Sequence, residues 1–189
     1  MLKVNKRKEP LEFKEYKKKK KPINWEGYDN KIKENLKKSL LKEQEGNCCP
    51  YCEVKIHLER SHIEHIKPKD KFPKFLHEYD NMIACCVSNK NCGATKANQW
   101  DNLFINPVLD NPEEYFKYDI KTGRILPIDE VGYKFDRAET TIRFLNLNEK
   151  NLCDKRKVYI LKFRDTQKEY RKFFQEFPSL KRYLQNVLT

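Results

Sequence analysis

Residues 48–96 read CCPYCEVKIHLERSHIEHIKPKDKFPKFLHEYDNMIACCVSNKNCGATK and contain six of the seven cysteines of this 189-residue chain. The seventh is Cys153. An odd number of cysteines in a chain without an apolar export signal argues against a disulfide framework, because cytosolic reductants keep thiols reduced. Clustered cysteines in such a chain usually bind a metal ion. We therefore expect a cytoplasmic protein with a metal centre.

Two cysteine pairs predict where this metal centre lies. Cys49 and Cys52 form a CxxC turn that directs both sulfur atoms toward one point, and Cys86 and Cys92 supply a second pair. Four thiolates suit tetrahedral zinc and leave no coordination position for water, so we expect this zinc to be structural. Two neighbouring cysteines remain alternatives: Cys48 in place of Cys49, and Cys85 in place of Cys86.

Between the two cysteine pairs, Glu64 and His65 place a carboxylate beside an imidazole. A carboxylate is a candidate ligand for a divalent ion, and an imidazole is a candidate general base. Alternation along a strand puts His62 and Glu64 on one face and His65 on the other. A twist at the strand end before Pro68 would bring Glu64 and His65 to one cavity.

The hydrophobic pattern predicts an α+β fold that is mainly helical. Apolar residues recur with helical spacing in 30–45, and the proline-rich and asparagine-rich segment 101–135 is typical of loops. The other expected elements are a hairpin formed by 54–58 and 61–66, a strand within 81–87, a helix starting near Gly93, a small hairpin around Thr122 and Gly123, and at least three helices after Glu139.

The charge of the chain indicates an anionic partner. Its 40 basic and 28 acidic side chains give a formal net charge of +12, and nucleic acid is a common partner of such proteins. No apolar run approaches the roughly 18 residues of a membrane span, so we expect no membrane partner. Residues 1–28 contain five consecutive lysines, Lys17 to Lys21, and are predicted to form a flexible basic arm that contacts phosphates or is solvated.

Four short segments, taken in order, carry a resemblance to a known family. They are CPYC at 49–52, IEHIKPK at 63–69, YDNMIACC at 79–86 and CGATK at 92–96. This order resembles the zinc-stapled form of the HNH (ββα-metal) nuclease motif. Together with NPVLDNPEEYF at 106–116 and TIRFLNLN at 141–148, it is similar to the PtuB-type HNH component of Septu and retron-associated antiphage systems.

The resemblance covers about residues 30–160 and implies a small zinc-stapled ββα-metal (HNH) core within residues 29–135. The C-terminal helical region, 136–189, would pack on this core or on a partner. The resemblance also implies that His65 is the general base, that Glu64 binds a catalytic Mg²⁺ or Mn²⁺ ion, and that Asn81 orients the loop beside His65.

One position departs from the family pattern. The third motif residue usually follows the last cysteine, where this chain has Gly93, which has no side chain. Three residues are alternatives for the missing ligand: Asn91, Asn98 and His62. Lys96 occupies the position of the family's lysine and is expected to contact phosphate.

The function that the resemblance implies is a metal-dependent endonuclease that hydrolyses phosphodiester bonds of nucleic acid. DNA is the expected substrate, and RNA such as tRNA is the alternative. The resemblance further implies a defence complex with a PtuA-like ATPase of the ABC/SMC type, in some versions with a retron. The alternative function is a catalytically inactive, zinc-stabilised adaptor that binds nucleic acid, and Gly93 favours it.

Overall fold

The computed structural model describes residues 1–188, and the side chains of all of these except Lys168, Lys172 and Phe173. Within these residues the fold is α+β, as predicted, with six α-helices and two separate two-stranded antiparallel sheets. The helices are α1 (Leu11–Lys20), α2 (Asn30–Glu43), α3 (Gly93–Lys96), α4 (Tyr133–Leu145), α5 (Lys150–Asp165) and α6 (Pro178–Val187). The strands are β1 (Ser61–His65), β2 (Met82–Cys86), β3 (Phe116–Tyr118) and β4 (Ile125–Pro127).

Helix α2 supports the central hairpin, which is the antiparallel pair of strands β1 and β2. The apolar stripe of α2 is buried and packs against β2. All five residues of β2 are buried, which explains why its sequence is continuously apolar instead of alternating. The helix predicted for 30–45 is thus confirmed and ends at Glu43, while Gly46, at a φ of +62°, turns the chain toward the first cysteines.

The predicted hairpin of 54–58 with 61–66 is wrong. Strand β1 pairs instead with β2, in a register that runs from Ser61 opposite Cys86 to His65 opposite Met82. Residues Leu58–Arg60 form a short 3₁₀ turn. The alternation in 54–58 reflects the contact of Val54 and Ile56 with the core, not a ladder with β1.

Beyond the central hairpin, the second predicted hairpin is confirmed as β3 paired with β4. Helix α3 is shorter than the sequence suggests, because Ala97, at φ +45° and ψ −124°, leaves the helical conformation after one turn. The three helices expected in the last part of the chain are α4, α5 and α6. Pro178 stands in the first turn of α6, where its missing N–H has no helical partner to lose.

Residues 1–28 pack on the rest of the chain, which corrects the prediction of a flexible arm. Met1, Leu2, Val4 and Phe13 are buried. The Met1 ammonium group donates to the buried carboxylate of Glu53 at 2.6 Å. The composition of this segment is dominated by lysine, but a few apolar positions are enough to attach it to the core.

Buried residues from all three predicted parts of the chain, 1–28, 29–135 and 136–189, share one hydrophobic cluster. The boundaries of these parts stay a prediction. Among the helices of residues 1–188, none combines the length and the apolar character needed to cross a membrane.

Candidate metal centre and catalytic site

The four predicted cysteine ligands meet at the end of the β1–β2 hairpin. The Sγ atoms of Cys49, Cys52, Cys86 and Cys92 lie within 4.8 Å of one another and are buried. A tetrahedral site with Zn–S bonds of about 2.3 Å has S–S distances of about 3.8 Å. Two of the Sγ–Sγ distances are close to this value, at 3.9 Å for Cys49 and Cys92 and 3.8 Å for Cys52 and Cys86. The cluster therefore fits a tetrahedral metal ion such as zinc.

The backbone around the cluster holds the sulfur atoms in place. Within the CxxC turn, the Glu53 N–H donates to the Cys49 carbonyl at 2.8 Å. Cys92 has a φ of +59°, a conformation that costs a non-glycine residue on the order of 1–3 kcal/mol. Its N–H donates to the Leu145 carbonyl at 2.8 Å, so α4 helps to hold this conformation. Hydrogen bonds from neighbouring thiols, that of Cys49 first, lower the pKa of Cys86, whereas burial raises the pKa of Cys92. Without a metal ion the cluster therefore favours the thiolate at Cys86 over Cys92.

The two alternative cysteines lie outside the group of four. The Cys48 thiol donates to the Gln175 carbonyl at 3.3 Å. The Cys85 Sγ atom lies 3.7 Å from that of Cys49 but does not belong to the mutually close set. Asn91, one of the alternatives for the third catalytic ligand, donates to the Cys92 Sγ atom at 3.4 Å and so belongs to the cysteine cluster.

The ring of His65 is held in one tautomer by the backbone. Its Nε2 atom lies 3.1 Å from the Leu76 carbonyl oxygen, which can only accept, so Nε2 carries the hydrogen and Nδ1 is left unprotonated in the neutral ring. The Trp25 ring meets the imidazole edge-on at a centroid distance of 4.9 Å. Burial lowers the pKa of His65 and outweighs the opposing effects of the Leu76 carbonyl and Glu64. The imidazole is therefore neutral at pH 7 and able to accept a proton.

Asn81 forms hydrogen bonds that hold the loop with the Leu76 carbonyl, the group that contacts His65. Its Oδ1 atom accepts from the Lys67 N–H at 2.8 Å, and its Nδ2 atom donates to the carbonyls of Lys67 at 3.0 Å and Phe75 at 3.2 Å. Because Phe75 directly precedes Leu76, these bonds fix the carbonyl that His65 contacts. The orienting role of Asn81 itself stays a prediction.

Glu64 lies between a lysine and a histidine. Its Oε1 atom accepts from Lys96 Nζ at 2.8 Å, and its Oε2 atom lies 3.6 Å from His62 Nε2. Burial disfavours the charged carboxylate, but the contact with His62 and the Lys96 ammonium together outweigh burial and lower the pKa of Glu64. The prediction that Lys96 contacts phosphate is wrong, because its side chain is 1% exposed and also donates to the His65 carbonyl.

The position of the missing motif residue borders this carboxylate. A Cβ atom placed on Gly93 would lie 2.9 Å from both Glu64 Oε2 and His62 Nε2. Asn98 instead donates to Asp70 Oδ2 at 2.8 Å. Of the three alternatives for the third ligand, His62 is therefore the one that the structure places beside Glu64.

Sequence reasoning missed the contact of Trp25 with His65. The two residues lie in distant parts of the sequence, so no local spacing signals the pair. The lysine run ends at Lys21, four residues before Trp25. The lysine run and Trp25 are therefore neighbours in the sequence.

Three curated proteins were found to be similar to this chain. The "Retron Vc95 putative HNH endonuclease" of Vibrio cholerae serotype O1 biovar El Tor is 33% identical over 133 residues, which are 62% of this chain and 63% of that protein. The Septu protein PtuB of Bacillus thuringiensis is 30% identical over 119 residues, 59% of this chain and 41% of that protein. The Septu protein PtuA of Bacillus mycoides (strain KBAB4) is 25% identical over 153 residues, 64% of this chain and 20% of that protein.

These relatives agree with the resemblance that the motifs carry, although no family model matches the chain. The matched part spans less than two thirds of each relative's own length. By sequence, the chain is a relative of the HNH-type proteins of Septu and retron systems.

Proposed function

We propose that the protein is a metal-dependent endonuclease that hydrolyses phosphodiester bonds, with His65 as its general base. The hydrogen bond between His65 Nε2 and the Leu76 carbonyl is the observation that carries this proposal. It leaves Nδ1 as the proton acceptor, one residue from the charged carboxylate of Glu64. Hydrolysis of a phosphodiester needs a base for the attacking water and a cation for the phosphate, and the two residues are of these types.

The residues of the site would divide the work as follows. Nδ1 of His65 accepts the proton of the attacking water, and Asn81 keeps the ring in place through the loop at Phe75 and Leu76. Glu64 would hold Mg²⁺ or Mn²⁺, which when bound neutralises charge on the scissile phosphate. Lys96 fixes one oxygen of Glu64 and leaves the other toward His62.

Zinc at the cysteine cluster would have a structural role. Four thiolate ligands close the coordination sphere, so an ion there has no position for water or substrate. The cluster joins the CxxC turn to the end of β2 through Cys86 and to the start of α3 through Cys92. Because α3 carries Gly93 and Lys96, the metal would fix the elements that border Glu64.

Nucleic acid is the substrate that the charge supports, and we propose DNA before RNA. The names of the relatives further support a role in antiphage defence. We propose that the protein acts with a PtuA-like ATPase of the ABC/SMC type. The relatives carry the names of two different Septu proteins, PtuB and PtuA, which supports a role in a system of several components. The second candidate is a zinc-stabilised adaptor that binds nucleic acid without cutting it, and the absence of a side chain at Gly93 favours it.

The experiment that separates these candidates measures cleavage of plasmid DNA and of total tRNA by the full chain. The protein is tested alone and with a PtuA-like ATPase, in Mg²⁺, Mn²⁺ or EDTA. The nuclease proposal expects cleavage that depends on the divalent ion and stops in EDTA. Binding of nucleic acid without cleavage in every combination would favour the adaptor.

The basic end of α1 gives a prediction about nucleic-acid binding. Lys18 to Lys21 are exposed and lie close in sequence to Trp25, which contacts His65. If these lysines contact phosphates, their joint replacement by glutamine makes the salt dependence of binding weaker. The negative slope of log K, the binding constant, against log salt then decreases in magnitude by up to about 0.9 per lost contact with duplex DNA. Fluorescence anisotropy at several salt concentrations measures the slope. An unchanged slope would mean that the lysines are only solvated.

A further inference from the structure

Gly93 faces the donor atoms of Glu64 and His62. A Cβ atom on Gly93 would approach Glu64 Oε2 and His62 Nε2 to 2.9 Å each, closer than Cβ atoms normally approach other groups. A side chain at position 93 and the imidazole of His62 thus compete for the same place. This chain has an imidazole at position 62 and no side chain at position 93.

We infer that His62 and Glu64 together bind the catalytic divalent ion, with Nε2 of His62 in the role that a residue at position 93 would otherwise have. The inference rests on the proposed nuclease function and extends it to a residue of this chain. One nitrogen and one oxygen donor suit ions such as Mn²⁺ better than Mg²⁺, which prefers oxygen donors and retains its water.

The distances agree with two ligands of one ion. His62 Nε2 and Glu64 Oε2 are 3.6 Å apart. Ligand atoms about 2.1 Å from a common ion at this separation make an angle of about 120° at the ion. This angle lies within the range of low-coordinate sites, and a small closing movement brings it to the 90° of octahedral coordination.

The surroundings prepare the two ligands for this role. Successive side chains of β1 alternate, so His62 and Glu64 project from the same face of the strand. Lys96 binds Glu64 Oε1 and thereby leaves Oε2 on the side of His62. The side chain of His62 is 40% exposed, compared with 12% for Glu64. The remaining coordination positions of an ion would therefore face solvent, where water and a phosphate can reach them.

A side chain added at position 93 distinguishes a metal site from a pair of His62 and Glu64 that only stabilises the fold, because it affects the binding of an ion. Gly93 stands in the first turn of α3 with a φ outside the left-handed range, so alanine is compatible with the backbone there. The added methyl group would lie 2.9 Å from both donor atoms, too close for both of them to keep their places. Gly93→Ala therefore blocks the ion while both donor residues remain in the chain.

The test is a titration of the full, zinc-loaded chain with Mn²⁺, in which electron paramagnetic resonance measures the free ion. The wild type is compared with His62→Ala, Gly93→Ala and the matched control His57→Ala, which changes an exposed histidine outside the site. The wild type and the control are expected to bind one Mn²⁺ ion with equal affinity. His62→Ala and Gly93→Ala are expected to bind at least about tenfold more weakly. Wild-type affinity in His62→Ala would overturn the inference.

A double variant transfers the proposed histidine ligand from position 62 to position 93, where the HNH motif that the chain resembles has its third residue. Gly93→His alone places its side chain against His62 and is expected to weaken Mn²⁺ binding, whereas His62→Ala with Gly93→His frees the space and is expected to restore it in part. A double variant that binds Mn²⁺ no more tightly than His62→Ala would contradict the inference that side chains at positions 62 and 93 share one ligand position. Because the titration does not depend on cleavage, Mn²⁺ binding that requires His62 in a protein that cuts no nucleic acid would support the site while removing the nuclease function.

Discussion

Replacement of His65 by alanine lowers the rate of phosphodiester cleavage by about 10²–10⁴-fold, which is the usual contribution of a general base. The variant loses the proton acceptor that the Leu76 carbonyl holds in the correct tautomer. It retains the four cysteines and the contact of Glu64 with Lys96. Initial rates of cleavage, with zinc content and circular dichroism measured on the same samples, check this expectation. His57→Ala should cleave at the wild-type rate, since that side chain is exposed.

The pH dependence of cleavage follows from the same residue. Burial holds the pKa of His65 below its ordinary value of 6.5. The unprotonated base is therefore the main form at neutral pH. We expect kcat/KM to stay level there and to fall only at a lower pH than an ordinary histidine would cause, when the lowered pKa of His65 is reached. Full activity of His65→Ala would contradict the assignment of the base.

Loss of one cysteine ligand has the largest expected effect on stability. Zinc binding contributes about 10–16 kcal/mol to the folding of zinc-finger peptides, whereas whole domains are stable by about 5–15 kcal/mol. Cys49→Ser and Cys92→Ser are therefore expected to lose the zinc ion and to unfold the region around β1 and β2. Zinc content by atomic absorption and thermal unfolding by circular dichroism measure the two effects.

The remaining cysteines provide the controls for this prediction. Cys48, Cys85 and Cys153 lie outside the group of four sulfur atoms. Their replacement by serine should leave one zinc ion per chain. Cys85→Ser is the most informative control, because its Sγ atom lies 3.7 Å from that of Cys49. A folded Cys92→Ser protein without zinc would contradict the structural role of the metal. Loss of zinc in Cys85→Ser, together with retention of zinc in Cys86→Ser, would contradict the assignment of the ligands.

The elements that the sequence predicts correctly are those with a local signal. The apolar stripe of α2 repeats with the helical period, and the CxxC turn directs two sulfur atoms to one point whatever surrounds it. The pairing of β1 was not predictable in this way, because alternation shows that a segment is extended but not which strand it joins. Its partner β2 follows only after the loop 66–81.

The candidate site shows the same division. The motif order names Glu64, His65 and Asn81. The structure places Lys96 on Glu64, the Leu76 carbonyl on His65 and the Phe75 carbonyl on Asn81, and the catalytic roles of the three residues stay predictions. The burial of Lys96 and the contact of Trp25 with His65 depend on tertiary packing and have no counterpart in local spacing. The N-terminal segment was misjudged for a related reason, since its average composition hides the buried positions Met1, Leu2, Val4 and Phe13.

The most direct test of the central claim compares the nicking of supercoiled plasmid by wild-type protein and by His65→Ala, each zinc-loaded and in the presence of a PtuA-like ATPase. The account predicts nicking by the wild type in Mn²⁺, none in EDTA, and a rate about 10²–10⁴-fold lower for His65→Ala. Equal nicking by the two proteins, or nicking that persists in EDTA, would contradict it.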